Sequence, residues 1–422
     1  MISDYLNKFE TIKEQTLFDR LSLDEQKAVR EIAIGNHFTL QELKYFIESS
    51  IDLNIWNENN LLSLWKRWQL ECDLSGREFK KRAFNKLDNL LEKLREKENE
   101  YDHKLKNNTS YRSQKILEEI SDGKIIGKCP VYSEKTLCCN LMTIDAVKNC
   151  GFGCSYCSIQ TMYTDENILF DKHFSEKLDA IELDPEKRYH IGTGQSSDAL
   201  MWGNTNGILD DMFHFAEKWP NALIEFKTKS KNVDYFLKSD VPQNIVCTWS
   251  LNPDIIIRNE EHLTPDLGDR LNAARLVADQ GTRVGFHLHP IIIYKGWEDD
   301  YSALIKTLIN RFDANEIVFI SLGSLTFPKP IIRKIRNYGI KSKIYQIPMI
   351  PNPEGKMTYP DKVKIRLFQH TYDVFKPWHG KVFFYLCMEE KIFWESTFGS
   401  TYQDNKEFED RLIESARKKL AC

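Results

Sequence analysis

Three cysteines, Cys150, Cys154 and Cys157, lie close together on a stretch that also contains Gly151 and Gly153. Three thiolates at this spacing can hold three corners of a cubane iron–sulfur cluster, and the two glycines allow the backbone to fold back around it. The sequence shows no fourth ligand nearby. Electron-transfer clusters normally have four ligands, so a cluster with three leaves one iron open to bind and activate a small molecule.

Two other kinds of site use grouped cysteines. A zinc site would need a distant His or Cys to complete a tetrahedron, and zinc sites usually combine two C-x2-C halves. A disulfide framework is disfavoured because ten cysteines in 422 residues are sparse and an odd triplet cannot pair internally. The cluster is therefore the working interpretation of the C-x3-C-x2-C triplet.

The length and composition bound the class of protein. A chain of 422 residues has room for two or three domains, and its net charge of −4 gives no global nucleic-acid footprint. The first residues lack a basic segment followed by an apolar run, and no stretch approaches the roughly 18 apolar residues of a membrane span. We expect a cytoplasmic protein without membrane contact, which suits free cysteines and an oxygen-sensitive cluster. The oligomeric state is not indicated.

Residues 1–125 have a helical pattern and no catalytic constellation. Capping boxes occur at Ser22–Glu25 and Thr39–Glu42, each with a hydroxyl followed three residues later by a carboxylate. Apolar residues recur at helical spacing further along the segment: Leu61, Leu62, Trp65, Trp68, Phe79, Ala83, Leu87, Leu90, Leu91 and Leu94. This segment is predicted to be an all-helical N-terminal domain.

Residues 126–345 alternate short apolar runs with helical stretches, which is typical of repeated βα units. The predicted strands are Leu141–Val147, Arg188–Thr193, Ala222–Lys227, Asn244–Ser250, Arg283–Pro290 and Glu316–Leu322. They predict an α/β fold, a partial (β/α)6 barrel whose functional loops gather at the carboxyl ends of the strands. Residues 346–422, with a predicted helix over Asp361–Asp373 and a strand over Val382–Leu386, are expected to form a small α/β C-terminal cap.

Several separate blocks, in the right order, resemble the radical S-adenosylmethionine (SAM) enzymes related to spore photoproduct lyase, over roughly residues 140–345. The blocks are Cys150, Cys154, Tyr156-Cys157 and Gln160-Thr161; Ser196-Ser197-Asp198; Thr228-Lys229 with Val233-Asp234; Ser250-Leu251-Asn252; Gly285-Phe286; Pro290-Ile291; and Gly296-Trp297-Glu298. The resemblance implies a radical SAM partial barrel, with a [4Fe-4S] cluster and SAM as cofactors. It also implies a flavodoxin- or ferredoxin-type electron donor and reductive cleavage of SAM to a 5′-deoxyadenosyl radical.

The resemblance also assigns roles to single residues. Cys150, Cys154 and Cys157 would bind three irons. The positions that resemble the family's SAM-binding residues are Ser197, Asp198, Lys229, Ser250 and Asn252, and they include a cation and short polar groups of the kind that hold a carboxylate and a ribose. Tyr156 matches an aromatic residue that packs near the cofactor.

Two departures from the family affect the expected reaction. The lyases carry a hydrogen-donating cysteine where this chain has Gln195, and a second tyrosine where it has Ser158. A glutamine cannot return a hydrogen atom as a thiol does, because its N–H bonds are much stronger. The candidate catalytic residues are therefore Tyr156, Gln195 and a relocated thiol, for which Cys247 is named and Cys138-Cys139 is a further possibility; a buried structural cysteine is the alternative for Cys247.

Two other groups of residues have a functional and a structural interpretation. His287 and His289 share one face of the fifth predicted strand and either point toward a substrate or serve as structural histidines. A basic run follows the sixth strand and either contacts phosphates or forms a solvated helix: Lys329, Arg333, Lys334, Arg336, Lys341 and Lys343.

The sequence thus predicts a radical SAM enzyme similar to spore photoproduct lyase. A DNA photolesion is one candidate substrate. The alternatives are radical modification of RNA, a peptide or a metabolite, or a nucleic-acid-binding module that retains a structural cluster.

Overall fold

The computed structural model describes residues 2–102, 114–162, 167–338 and 341–420. The chain divides into two compact units: Met1–Glu100 with Lys329–Pro348, and Tyr101–Pro328 with Met349–Cys422. The helices are α1 (Ile2–Lys13), α2 (Leu23–Gly35), α3 (Leu40–Ile55), α4 (Leu61–Leu70), α5 (Gly76–Glu96), α6 (Phe174–Asp179), α7 (Ile208–Lys218), α8 (Asp234–Lys238), α9 (Asp254–Glu260), α10 (Leu267–Asp279), α11 (Trp297–Arg311), α12 (Pro330–Tyr338), α13 (Asp361–Val374), α14 (Lys391–Phe398) and α15 (Asn405–Leu420). The strands are β1 (Ile116–Glu119), β2 (Ile126–Lys128), β3 (Met142–Ile144), β4 (Val147–Lys148), β5 (Ile168–Asp171), β6 (Tyr189–Thr193), β7 (Ala222–Thr228), β8 (Ile245–Ser250), β9 (Val284–Ile291), β10 (Ile317–Ser324), β11 (Thr326–Phe327), β12 (Ile350–Pro351), β13 (Met357–Thr358) and β14 (Phe383–Leu386).

The first unit is helical and contains α1–α5 and α12. Both predicted capping boxes are present: the side chains of Ser22 and Thr39 accept hydrogen bonds from the first turns of α2 and α3, and each N3 glutamate bonds back to the cap. Trp65 on α4 and Phe79 on α5 are buried and meet edge to face with ring centroids 5.6 Å apart. The predicted apolar stripes are therefore buried in the core of this unit, except for Leu90 and Leu94, which are half-buried.

The basic run at 329–343 belongs to the first unit, although it follows a strand of the second. Arg336 on α12 forms ion pairs with Glu48 and Asp52 at 2.6 Å each, and Lys343 pairs with Glu58 at 3.1 Å. Lys341 donates to the side chain of Asn54 at 2.7 Å. Three of the six cations are thus held by partners on or beside α3, and contact of the run with phosphates stays a prediction.

The second unit is built on an eight-stranded sheet with the order β14-β10-β9-β8-β7-β6-β3-β2. Its neighbours are parallel except for the antiparallel β2–β3 pair. The central strands are buried almost throughout, which explains their continuous apolar runs, because parallel strands are covered on both faces. All six predicted strands are present, and the predicted α/β partial barrel is confirmed. The short strand β2 was missed because Ile-Gly-Lys carries no apolar run.

The C-terminal segment, residues 346–422, contributes its strand β14 to this sheet. The predicted strand over Val382–Leu386 is β14, which pairs in parallel with β10 so that Phe383 lies opposite Phe319. The predicted domain boundaries lie between residues 125 and 126 and between residues 345 and 346. The two compact units have their borders at other positions, so these domain boundaries stay a prediction. In the described ranges, no helix combines the length and apolar character needed to cross a bilayer.

Candidate active site

A cavity lies where the cysteine loop meets the loops that follow β6, β7 and β8. Its lining contains nine of the residues predicted from the sequence: Cys150, Cys154, Tyr156, Cys157, Gln195, Ser197, Asp198, Lys229 and Ser250. The carboxyl ends of parallel strands meet at one edge of a barrel, which brings together residues 100 positions apart along the chain, Cys150 and Ser250. Among the described residues, Asn252 and Cys247 do not line this cavity.

The cysteine loop follows β4 and turns sharply. Asn149 and Gly153 have positive φ angles of 65° and 62°, a conformation that asparagine and glycine tolerate best. The amide of Cys157 donates to the carbonyl of Cys154 at 3.1 Å, which closes a tight turn between these two cysteines. Burial is the main cause that raises the pKa of the Cys150 and Cys154 thiols above the ordinary range. Without a cation, these thiols stay protonated.

The three cysteines fit an iron–sulfur cluster better than a single metal ion. In the described part of the chain, no three His, Cys, Asp or Glu side chains converge tightly enough to hold one ion, as tetrahedral zinc requires. In a cubane cluster each cysteine binds a separate iron, so the thiolates need not converge. A bound metal also deprotonates a coordinating thiol, which would reverse the effect of burial.

Next to the cysteines, Lys229, Tyr156 and Asn252 share one carboxylate, that of Glu261. The Nζ atom of Lys229 lies 3.0 Å from Glu261 Oε1 and 3.0 Å from the hydroxyl oxygen of Tyr156. The Tyr156 hydroxyl donates to the same carboxylate, and Asn252 Nδ2 donates to it at 2.8 Å. The Tyr301 hydroxyl donates to Asn252 Oδ1 at 2.6 Å. Asn252 therefore has both ends of its amide engaged behind the cavity wall, whereas the resemblance places it in contact with SAM.

Glu261 also forms a fully buried ion pair with Arg270. Arg270 Nη2 lies 2.5 Å from Glu261 Oε2, and Arg270 also donates to the carbonyls of Ser250 and Pro265 at 2.9 and 3.0 Å. Burial alone would raise the pKa of Glu261, but the charges of Arg270 and Lys229 hold it well below its ordinary value. The carboxylate is thus ionised and holds both cations in place.

Sequence reasoning missed Glu261 and Arg270. A signal existed in α9: Glu260 and Glu261 follow Ile256 and Ile257 at helical spacing, and this apolar face is buried. A carboxylate on an apolar face must be paired or hydrogen-bonded. The partner cannot be identified from the helix alone, because Arg270 belongs to the next helix.

Residues 260–263 clamp the cysteine loop through the backbone. The amide of Ser155 donates to the carbonyl of Glu260 at 2.8 Å, and the amide of Leu263 donates to the carbonyl of Phe152 at 3.2 Å. Cys154 and Glu261 form an antiparallel bridge between these two hydrogen bonds. The loop is therefore fixed by protein contacts on the side where Cys154 lies.

A histidine in this clamp, His262, leads to a testable prediction about how stability depends on pH. Burial lowers the pKa of His262 to about 4, from an ordinary value of 6.5. The folded state then binds fewer protons than the unfolded state between these pH values, so stability rises with pH across the window. We expect the free energy of unfolding to fall by roughly 2 kcal/mol through this group between pH 7 and pH 5. Urea denaturation of His262→Gln should show a flatter pH dependence of stability than the wild-type protein. His214→Gln, at an exposed position on α7, is the control for the loss of a histidine, and equal slopes in all three proteins would contradict the prediction.

Asp198 organises the cavity loops and does not face the cavity as an unpaired acid. Its carboxylate accepts hydrogen bonds from the Thr228 hydroxyl and the Lys229 amide at 2.7 Å each. It also accepts bonds from the amides of Leu200 and Met201 at 3.1 and 2.9 Å. Asp198 thus ties the loop after β6 to the loop after β7, and it fixes the backbone from which the Lys229 side chain extends.

The residues considered for hydrogen transfer lie in different places: some line the cavity and one does not. Gln195 and Ser158 both line the cavity, at the two places where the resembling family has a cysteine and a tyrosine. Cys247 is fully buried in β8 and pairs in register with Phe226, which packs edge to face against Phe213 and Phe236. The structure therefore places Cys247 on the helix-covered face of the sheet, away from the cavity, as expected for a structural cysteine.

The two histidines of β9 occupy different positions inside the barrel. His289 lines the cavity. His287 is hydrogen-bonded to Glu225 at 2.7 Å and to the Thr248 hydroxyl at 3.2 Å, and His190 lies on the other carboxylate oxygen of Glu225 at 2.9 Å. His287 thus belongs to a buried polar layer of the barrel, and only His289 is placed to meet a ligand.

Comparison with known proteins finds similarity to spore photoproduct lyase. The family model of spore photoproduct lyase matches residues 142–345. The spore photoproduct lyase of Clostridium acetobutylicum is 24% identical over 178 residues, 41% of this chain and 53% of that protein. Those of Geobacillus sp. and Bacillus subtilis are 26% and 32% identical, over 48% and 29% of this chain and 61% and 36% of their own length. The chain therefore spans about half the length of the curated relatives it matches.

Solved structures of spore photoproduct lyase share the fold. A complex with dinucleoside spore photoproduct has a TM-score of 0.57 at 20% identity, covering 64% of this chain and 82% of that one. A double mutant with bound AdoMet and dinucleoside spore photoproduct has a TM-score of 0.55, with the same coverage and identity. The chain therefore contains a region, residues 142–345, that matches the family model of spore photoproduct lyase, and it shares the fold of the solved lyase structures.

Proposed function

We propose that this protein is a radical SAM enzyme whose reaction takes place in the cavity beside the cysteine loop. The observation that carries the proposal is the meeting of Cys150, Cys154 and Cys157 with Lys229 and Ser250 around one cavity. The three cysteines would hold a [4Fe-4S] cluster, with SAM beside it. When bound, the reduced cluster would supply the electron for reductive cleavage of SAM, and the resulting 5′-deoxyadenosyl radical would take a hydrogen atom from the substrate.

Lys229 is suited to hold the carboxylate of SAM. An ammonium group has three N–H donors, and its contacts with Tyr156 and Glu261 fix the direction of the Nζ atom. The backbone of Lys229 is held separately by Asp198. A cation positioned at both ends of its side chain binds a carboxylate with less loss of conformational entropy than a freely moving lysine.

The hydroxyl groups of Ser197 and Ser250 are two of the neutral donors and acceptors in the cavity lining. Ser197 Oγ accepts a hydrogen bond from Trp202 Nε1 at 3.1 Å, so its own hydrogen can be directed to a ligand. Tyr156 and Asn252 act behind the wall, where they orient Lys229 and Glu261. This assigns Asn252 a positioning role instead of direct contact with SAM.

Two candidate substrates are considered, and Gln195 and Ser158 help to choose between them. The solved relatives include complexes with dinucleoside spore photoproduct, which makes a thymine photolesion in DNA the first candidate. The second candidate is radical modification of RNA, a peptide or a metabolite. It is favoured by the presence of Gln195 and Ser158 in the cavity lining, because neither side chain has a bond weak enough to return a hydrogen atom to a carbon radical as a thiol does.

The test is an anaerobic assay with the reconstituted protein, SAM and dithionite in place of the flavodoxin- or ferredoxin-type donor. We expect 5′-deoxyadenosine to form, and chromatography of ultraviolet-damaged DNA in a parallel reaction distinguishes the substrates. Reversion of the dimers to thymines would support DNA repair, and formation of 5′-deoxyadenosine with intact dimers would favour the second candidate. If the protein binds iron and sulfide but forms no 5′-deoxyadenosine, the cluster is structural and the proposal of an enzyme fails.

Replacing Lys229 with methionine tests its role in binding SAM. Loss of a hydrogen bond to a charged group costs about 1.5–3 kcal/mol, so the dissociation constant of SAM should rise by roughly 10- to 100-fold. Equilibrium dialysis of the reconstituted variant measures this directly. Lys231→Met is the matched control, because Lys231 is on the same loop but is exposed and pairs with Asp269. Equal affinities in both variants would contradict the assignment of Lys229.

A further inference from the structure

A second group of cysteines lies where the two ends of the large sheet approach each other. The ends of the sheet are the β2–β3 hairpin and β14. Leu137, in the β2–β3 connection, forms an antiparallel bridge with Glu389, which follows β14. The amide of Leu137 donates to the carbonyl of Glu389 at 3.0 Å. We call this junction the seam of the barrel.

The seam brings four cysteines together from both ends of the sheet. Cys129 follows β2, and its amide donates to the carbonyl of Leu141 at 2.9 Å, which extends the hairpin. Cys138 and Cys139 come directly after Leu137. Cys139 comes two residues after Leu137 and Cys387 two residues before Glu389, so the register of this antiparallel bridge, continued by two residues, sets Cys139 opposite Cys387. The four residues, Cys129, Cys138, Cys139 and Cys387, are free thiols.

These four thiols form one cluster instead of two separate pairs. Cys138 and Cys139 share a hydrogen bond, and every other pair among the four interacts electrostatically. Burial raises the pKa of Cys129 to about 11. The hydrogen bond that Cys139 donates to Cys138, followed by burial, raises the pKa of Cys139, and the same hydrogen bond lowers the pKa of Cys138 to about 7.

The seam borders the candidate active site. Pro130, Val131 and Met388 line the cavity, and they adjoin Cys129 and Cys387 along the chain. Isolated buried cysteines behave as small apolar side chains, but four that converge from distant segments exceed what packing requires. A disulfide uses two sulfurs, whereas four cysteines are the usual ligand set of structural zinc and of closed iron–sulfur clusters.

We propose that Cys129, Cys138, Cys139 and Cys387 bind a second metal centre, held by thiolates, that fastens the seam of the barrel beside the cavity. Zinc and an iron–sulfur cluster share this ligand chemistry. In the described residues no three such side chains converge tightly enough for a single ion, so a cluster, which spreads its thiolates over several irons, is the form expected. Binding would release protons from the thiols and would join residues that come from opposite ends of the sheet.

The test separates the seam from the active site. In Cys150→Ala/Cys154→Ala/Cys157→Ala the first site is removed, and the remaining metal is measured by elemental analysis after anaerobic expression, with a sulfide assay. We expect iron and sulfide to remain bound, and to be lost when Cys139→Ser and Cys387→Ser are added. The matched control adds Cys72→Ser and Cys247→Ser instead, which removes the same number of thiols elsewhere and should leave the metal content unchanged.

The outcomes are distinct from those of the SAM assay. Bound iron with sulfide that depends on the seam cysteines supports the centre as a cluster, whereas one bound zinc that depends on them supports a thiolate centre but overturns the cluster form. A triple variant without bound metal, or with metal that survives the seam substitutions, overturns it. Native mass spectrometry of the reconstituted wild-type chain gives a second measurement that does not depend on folding of the variants: mass for two centres is expected, and mass for one contradicts the proposal.

Discussion

Cys154→Ala is expected to abolish formation of 5′-deoxyadenosine. Cys154 lies in the middle of the cysteine loop, and its backbone is held by the bridge to Glu261, so an alanine should leave the loop in place while removing one iron ligand. Two remaining cysteines cannot hold three corners of a cubane cluster. We expect the rate of SAM cleavage to fall at least about a thousandfold, which corresponds to roughly 4 kcal/mol in transition-state free energy.

The matched control is Cys247→Ala, which removes a buried thiol on the helix-covered face of the sheet. We expect it to retain the visible absorption of the cluster and most of the SAM cleavage, at some cost in stability from the lost packing. The same assay therefore tests two assignments. Normal cleavage by Cys154→Ala would remove the basis of the proposed function, and complete loss in Cys247→Ala would show that a thiol outside the cavity takes part in the reaction.

Glu261→Gln is expected to destabilise the second unit strongly. The substitution keeps the size of the side chain but removes the charge that neutralises Arg270, which is fully buried. Removing one partner of a buried ion pair leaves an uncompensated charge and typically costs about 3–5 kcal/mol. Lys229, which is partly buried and shares the same carboxylate, would lose its partner as well.

Urea denaturation followed by tryptophan fluorescence measures this loss. Glu182→Gln is the control, because Glu182 forms an exposed pair with Lys218 at 3.4 Å, and such pairs contribute at most about 1 kcal/mol. If the two substitutions shift the unfolding midpoint equally, the buried network does not support the site as described. A large shift for Glu261→Gln alone would identify Glu261 as the residue that holds Lys229 and the cysteine loop together.

The substitutions Cys154→Ala and Glu261→Gln also distinguish residues needed for SAM cleavage from residues needed for the stability of the fold. Cys154→Ala should remove SAM cleavage while the fold remains. Glu261→Gln should weaken the fold, while the iron ligands keep their chemistry. Measuring the iron content and the unfolding midpoint of both proteins therefore tests whether the cysteine loop and the carboxylate behind it have the separate roles assigned here.

Much of the fold follows from local sequence patterns. The apolar runs that became β6 to β10 were sufficient to place these strands, because strands buried on both faces need uninterrupted apolar residues. The capping boxes at Ser22 and Thr39 marked the starts of α2 and α3, because a capping box acts within a single helical turn. The cysteine loop was recognised for the same reason, since its three thiols lie on one short segment.

Longer-range pairing was decided by the tertiary structure. Tyr156 and Glu261 are 105 residues apart in the chain and meet only because the cysteine loop is clamped onto the end of α9. The basic run after β10 belongs to the first unit, where Arg336 forms ion pairs with Glu48 and Asp52.

The amino-acid sequence by itself determined the partial barrel, the cysteine triplet and most of the cavity lining, because strand ends in a parallel barrel always converge. Only the tertiary structure placed Asn252 behind the wall, turned Cys247 away from the cavity and gathered four cysteines at the seam. These outcomes depend on which strand face a residue occupies and on how the two ends of a sheet meet. Neither property is encoded in the spacing of residues along a single segment.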